Sequence, residues 1–229
     1  MYYDPTYILV IIGAVLSLAA SAKVKSTFAK YSRVASRSGL DGREAARRVL
    51  GAAGITNVGI QHVGGELSDH YDPRTKTVNL SDPVYAKTSI AAIAVAAHEC
   101  GHAIQDDKQY FPLNFRSTLV PVANFGSMAA WPLIVIGLFI NSNTGVFLLN
   151  LGIWAFSFSV LFQLVTLPVE FNASRRALAM LESNGLVPED ELPYAKKVLF
   201  AAALTYVAAA AASILQLLRL MMIANSRRD

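Results

Sequence analysis

The segment His98-Glu99-Cys100-Gly101-His102 holds two imidazoles four residues apart with a carboxylate between them. On an α-helix of about 3.6 residues per turn, His98 and His102 lie about 40° apart around the axis, so both rings can reach one tetrahedral Zn²⁺. Glu99 is turned to the side of that pair, where its carboxylate can reach a metal-bound water without ligating the metal. Zinc lowers the pKa of such a water toward about 7; Glu99 takes its proton as the oxygen attacks a carbonyl carbon, then hands a proton to the leaving amine. This is peptide-bond hydrolysis. Cys100 points about 200° away from His98 and reads as packing rather than as a ligand.

These residues need a helix to carry them. Ser89 to Gln105 is rich in alanine, free of proline and apolar at Ile90, Ile93, Ala94 and Ala97. The run Ile93-Ala94-Val95-Ala96-Ala97 makes this a buried helix, and burying two histidines and a glutamate without a metal or partners is costly. A catalytic zinc takes three protein ligands and keeps its fourth position for water, so one ligand must come from elsewhere. The only other histidines, His62 and His70, fall in predicted strands, where a solvent-facing or hydrogen-bonded histidine is the commoner explanation. Among carboxylates Glu170 stands out because it ends a long apolar run, in Leu167-Pro168-Val169-Glu170-Phe171-Asn172-Ala173-Ser174-Arg175-Arg176. Pairing with Arg175 or Arg176 is its alternative role.

Upstream, Asp41-Gly42-Arg43-Glu44 is a capping-box pattern that starts a helix through Leu50, ended by Gly51 and Gly54. Ile60–Val63, Leu67–Tyr71 and Lys76–Leu80, separated by Gly64-Gly65 and Asp72-Pro73-Arg74-Thr75, read as short strands joined by hairpins.

Of the 229 residues 54% are apolar and 16% charged, and the mean hydropathy is +0.40, which is too apolar for an ordinary soluble domain. One cysteine excludes an intramolecular disulfide, and nothing requires nucleic acid as a partner. Four apolar stretches approach the roughly 20 residues needed to cross a bilayer. They organise the chain into an N-terminal transmembrane helix (1–22), a lobe carrying the zinc helix (23–118), a transmembrane hairpin (119–140 and 146–169), a link bearing Glu170 (170–197), and a fourth transmembrane helix with its tail (198–229). Tyr2 and Tyr3 suit an interfacial position, and Ala20-Ser21-Ala22 resembles a signal-peptide cleavage site, but the segment before the first apolar run has Asp4 and no Lys or Arg. A retained anchor is therefore expected. Pro121 and Pro132 are tolerable because neighbouring helices satisfy the carbonyls they free. Small residues from Ala208 to Ala212 permit close packing of the fourth helix, for which a buried helix of a soluble lobe is the rival reading, since Arg219 interrupts its apolar run.

Thirteen Lys and Arg lie between the first and second spans, four between the third and fourth, and none in the 141–145 link. This bias places 23–118 and 170–197 in the cytoplasm and both termini outside, with Arg227 and Arg228 a mild counter-argument.

The zinc helix, the Asp69-His70-Tyr71-Asp72-Pro73-Arg74-Thr75-Lys76-Thr77-Val78 hairpin and Glu170-Phe171-Asn172-Ala173-Ser174 together resemble the YugP-type bacterial membrane zinc metallopeptidases over almost the whole chain. The likeness extends more distantly to the HtpX-type membrane proteases, which are gluzincin-like. It implies a mainly α membrane protein with a small α+β zincin-like cytoplasmic lobe in a bacterial cell membrane, one Zn²⁺ per chain, and Glu170 as third ligand. HtpX-type enzymes carry an aspartate four residues after that glutamate to orient a zinc histidine; here the place is held by Ser174, which orients a ring less firmly. For the oxyanion the sequence offers His70, Tyr71, Arg175 and Arg176, with His70 and Tyr71 ranked first. By resemblance to zincins, Lys76–Leu80 is an edge strand that binds substrate by strand addition, which puts Val78 and Asn79 at the cleft. Expected substrates are membrane proteins or unfolded polypeptides beside the lipid bilayer; the oligomeric state and any scaffold partner are open. The alternative is a metal-binding membrane scaffold or transporter accessory without turnover, for which Glu99 has no use.

Overall fold

The computed structural model describes residues 5–226; Tyr2, Tyr3, Asp4, Arg227 and Arg228 lie outside them. The element order is α1 (Tyr7–Tyr31), α2 (Gly42–Ala52), β1 (Gly59–His62), β2 (His70–Asp72), β3 (Thr77–Leu80), α3 (Asp82–Tyr85), α4 (Ile90–Asp107), α5 (Phe111–Phe139), α6 (Asn143–Ser183) and α7 (Leu192–Asn225). Among the described residues α1, α5, α6 and α7 are long and apolar enough to cross a membrane. Each continues past its apolar run: α1 beyond Ala22 to Tyr31, α5 from Phe111, α6 unbroken through Glu170 to Ser183, α7 from Leu192. Backbone hydrogen bonding is indifferent to hydropathy, so a helix ends where its caps and turns are, here at the left-handed Gly185 after α6.

The chain divides into two units. One comprises Met1–Ala20, Asn114–Leu167 and Thr205–Asp229. Within it Ala130, Ile134, Leu149, Ile153, Leu220 and Ala224 form a cluster that joins α5, α6 and α7. A Cβ on Gly13 of α1 would stand 3.1 Å from the Ala212 Cα of α7, so the small residues of the fourth apolar run do permit close packing.

The other unit is Ser21–Leu113 and Pro168–Leu204. Its centre is α4, whose alanines at 91, 92, 94, 96 and 97 are all buried because neighbours cover the helix on nearly every side. Ser89 Oγ caps it by accepting from Ala92 N at 3.2 Å. Asp41 caps α2 in the same way, accepting from Glu44 N at 2.7 Å, and α2 lays Ala45, Ala46 and Val49 into this core.

The three strands form one sheet in the order β1-β3-β2. β2 and β3 make the expected hairpin, with His70 opposite Asn79 and Tyr71 opposite Val78, but β1 pairs parallel to β3, with Ile60 opposite Val78. The first hairpin read from the sequence is therefore absent. The Gly64-Gly65 turn instead wraps over the end of β3, held by Val63 N donating to Leu80 O and Gly65 N donating to Asp82 Oδ2. Burial decides this arrangement: all four β3 residues are buried and belong in the middle, whereas β1 is largely exposed. The expectation that Val78 and Asn79 lie on an edge is thereby overturned. Both sides of β3 are taken, and the free edges belong to β1 and β2.

Candidate metal centre and active site

His98 and His102 project from α4, and Glu170 from α6, so that the ligand-type atoms of all three lie within 4.8 Å of one another. Glu170 Oε2 is 3.3 Å from His98 Nε2 and 3.5 Å from His102 Nε2. Ligands held at about 2.0–2.1 Å in a tetrahedron around zinc are about 3.4 Å apart. The two sides that meet at Glu170 Oε2 therefore have the length of an edge of a zinc site, and the composition, two imidazoles and a carboxylate, suits that ion. Arg176, the alternative partner of Glu170, is turned away; its Nε donates to Asn172 Oδ1 at 2.7 Å.

The protonation of His102 follows from a backbone carbonyl. Gln105, fully buried, places its Nε2 2.7 Å from Val169 O and 3.0 Å from Asn172 Oδ1. A main-chain carbonyl can only accept, so the amide nitrogen faces it and Gln105 Oε1 faces His102 Nδ1, at 3.0 Å. His102 must donate from Nδ1, which leaves Nε2 with its lone pair aimed at the triangle. His98 Nδ1 is likewise held, 3.2 Å from Ser174 Oγ, at the position where the HtpX-type pattern has aspartate. Gln105 went unnoticed in the sequence, although it follows His102 by three residues and is a polar residue on a buried helix. Replacing it with leucine keeps volume and burial but removes the acceptor for His102 and the tie to α6. Zinc affinity is expected to fall about 10- to 100-fold, read by chelator competition; a change within twofold would show that Gln105 does not position His102.

Glu99 is buried on the same helix, and burial pushes its carboxyl up to about 7, with His98 opposing the rise and Glu170, Asp69 and His70 also felt. A carboxyl poised there can both take and return a proton near neutrality. Cys100 faces the other way: its Sγ donates to Ala46 O at 3.6 Å, and burial raises the thiol's pKa, so it packs and does not ligate. His70 stands on β2, with Nδ1 donating to Ser68 O at 2.8 Å and Nε2 remaining for another partner. Tyr71 is differently engaged. Its hydroxyl donates to Asp106 Oδ2 at 2.6 Å, burial and that carboxylate raise its pKa, and Lys76 Nζ meets the same oxygen at 2.5 Å. Tyr71 thus fastens β2 to the end of α4, and its proton is committed away from any oxyanion.

The profile of a family described as "putative neutral zinc metallopeptidase" matches residues 6–225. The chain belongs to this family. It is 49% identical over 214 residues to the "putative membrane protease YugP" of Bacillus subtilis (strain 168), covering 93% of this chain and 94% of that protein. No solved structure matches. The family match spans both histidines, Glu99, Glu170 and all four long apolar helices, so the zinc-peptidase description applies to the whole arrangement and not to the five-residue segment alone.

Proposed function

We propose that this protein is a zinc-dependent membrane endopeptidase that hydrolyses membrane or membrane-proximal polypeptides. The observation that carries the reading is the triangle of His98 Nε2, His102 Nε2 and Glu170 Oε2 with the buried Glu99 on the same helix as both histidines. Zinc held by these three residues supplies Lewis acidity that acidifies water and polarises a carbonyl. The chain's own groups do the rest. Glu99 accepts a proton from the attacking water and delivers it to the leaving nitrogen. Gln105 and Ser174 hold the two rings by their Nδ1 atoms, and His70, whose Nδ1 already donates to Ser68 O, serves the developing oxyanion as the protonated ring, the form in which Nε2 also carries a hydrogen to donate. A substrate strand adds to the open edge of β2, the side of the hairpin that carries His70. A metal-binding scaffold would have no use for a buried general base and usually has four protein ligands.

The zinc-bearing lobe resembles zincins and faces the cytoplasm of a bacterial cell membrane in this reading, on the strength of the thirteen basic residues between the first and second apolar runs. Because native Cys100 is buried, single cysteines can report topology. One at Asn143 should react with an impermeant reagent added outside intact cells, and one at Arg43 only after permeabilisation; the opposite pattern would put the active site outside.

Substrate preference follows from where Glu170 is attached. It stands three residues past Leu167 on an unbroken helix whose preceding stretch is apolar enough to span a bilayer. Substrates anchored in the same membrane arrive at high effective concentration. A cleavable sequence beside a transmembrane anchor should be cut about tenfold faster or more than the same sequence on a soluble, equally unstructured carrier. Equal rates at matched concentration would remove the membrane-proximal preference while leaving the peptidase assignment intact.

A further inference from the structure

A groove of about 480 Å³ runs between α6 and α7, where their apolar runs meet the polar stretches of the same helices. Its apolar part is made by Phe171, Leu178, Leu199, Phe200 and Ala203. Phe171 is 42% and Phe200 59% exposed, so two aromatic rings stand uncovered at its mouth. Arg175 and Lys196 line the same groove, one from each helix, and neither is within 4 Å of a carboxylate among the described residues. Along α6 the order is Phe171 just past the apolar run, then Arg175 one turn farther; along α7 Ala203 and Phe200 lie in the first turns of the apolar run and Lys196 just before it. On both helices the apolar contact comes first and the cation follows, which is the order of tail and headgroup in a bilayer lipid.

We propose that this groove binds an anionic phospholipid, with an acyl chain along the aromatic part and the phosphate between Arg175 and Lys196. The volume is within the roughly 300–1,000 Å³ of small-molecule sites. Charge selects the class of lipid. The remaining charged residue of the lining, Glu182, lies two turns beyond Arg175, so two cations face one carboxylate and one positive charge is uncompensated. A phosphodiester with an uncharged headgroup, as in phosphatidylglycerol, supplies that single negative charge; phosphatidylcholine and phosphatidylethanolamine are neutral overall. Ser174 is part of the groove wall and also meets His98 Nδ1 at 3.2 Å, so the bound lipid would sit one side chain from a histidine of the metal triangle. This inference stands on the groove alone and is independent of the peptidase reading.

The test uses the full chain in neutral detergent and fluorescently labelled lipids, with binding followed by polarisation. Phosphatidylglycerol should bind saturably at one site, much more tightly than phosphatidylcholine or phosphatidylethanolamine, and millimolar inorganic phosphate should not displace it. Arg175→Gln and Lys196→Gln should each weaken binding about fivefold and together roughly 25-fold. Neutralising Lys23 and Lys25 should change nothing, and circular dichroism should be unaltered in all four. Ala179→Trp fills the groove while keeping both cations, and should abolish saturable binding. Equal affinity for the neutral lipids, full binding by Ala179→Trp, or displacement by inorganic phosphate would each overturn the proposal.

Discussion

Glu99→Gln is expected to lower peptide hydrolysis about 10³-fold while leaving the metal in place. The amide matches the carboxylate in size and leaves His98, His102, Glu170 and their Nδ1 partners undisturbed, so zinc content should stay at one ion per chain. What is lost is the group that accepts a proton from the attacking water and returns it to the leaving nitrogen. The measurement pairs metal analysis with proteolysis of an anchored peptide, using chelator-treated wild type as the inactive reference. Activity within tenfold of wild type would transfer the base role elsewhere, and loss of zinc would show Glu99 to be a ligand.

Gly101→Ala is expected to cost about 1–3 kcal/mol of stability and to weaken zinc binding at the same time. A Cβ at this position would lie 2.5 Å from the carbonyl oxygen of Ala173, 3.0 Å from its carbonyl carbon and 3.1 Å from its Cα. All three atoms are main chain of α6, so no side chain can swing aside, and the two helices must part. His98 and His102 flank Gly101 on α4, and Glu170 is less than one turn before Ala173 on α6. The displacement that relieves the clash therefore stretches the ligand triangle. Zinc affinity should drop about tenfold or more, in the range typical of lost support around metal ligands, together with a lowered melting temperature. Gly51→Ala provides the contrast: that glycine lies inside α2 with nothing within 4 Å of its Cβ position, so the change should stabilise by about 0.5–1 kcal/mol. Unchanged zinc affinity in Gly101→Ala would mean that α6 can shift without carrying Glu170 away.

Both effects start from the same five residues, but they were visible to different degrees in the sequence. The two histidines and Glu99 are legible because their relation is local: helical periodicity fixes which side chains share a face whatever the rest of the chain does. Hydropathy marks four long apolar helices for a similar reason, since a run of apolar side chains needs no partner to be recognised. The Asp41 cap and the Cys100 orientation belong to this class. The glycine at position 101, by contrast, reads only as an unspecified residue between two ligands until Ala173 is seen against it.

The resemblance to known membrane metallopeptidases implied Glu170 as a partner of the histidines, and the spatial arrangement agrees with it, yet local pattern alone left Arg175 and Arg176 as rivals. Strand position was misjudged because alternation and turn residues identify strands without saying which neighbour each will take; the complete burial of Thr77–Leu80 under α4 and between two partners put that strand in the centre. Tyr71 looked free to act on substrate until Asp106, thirty-five residues on, claimed its hydroxyl. Gln105 acquired its meaning only from Val169 and Asn172, more than sixty residues away. The sequence by itself determined the chemistry that one helix can present and the segments that prefer lipid, because both are properties of neighbouring residues. The tertiary structure alone decided which carboxylate meets those histidines, which atoms hold their rings and which strand keeps an open edge, because each depends on hydrogen bonds and close contacts between segments that nothing in the local order of residues brings together.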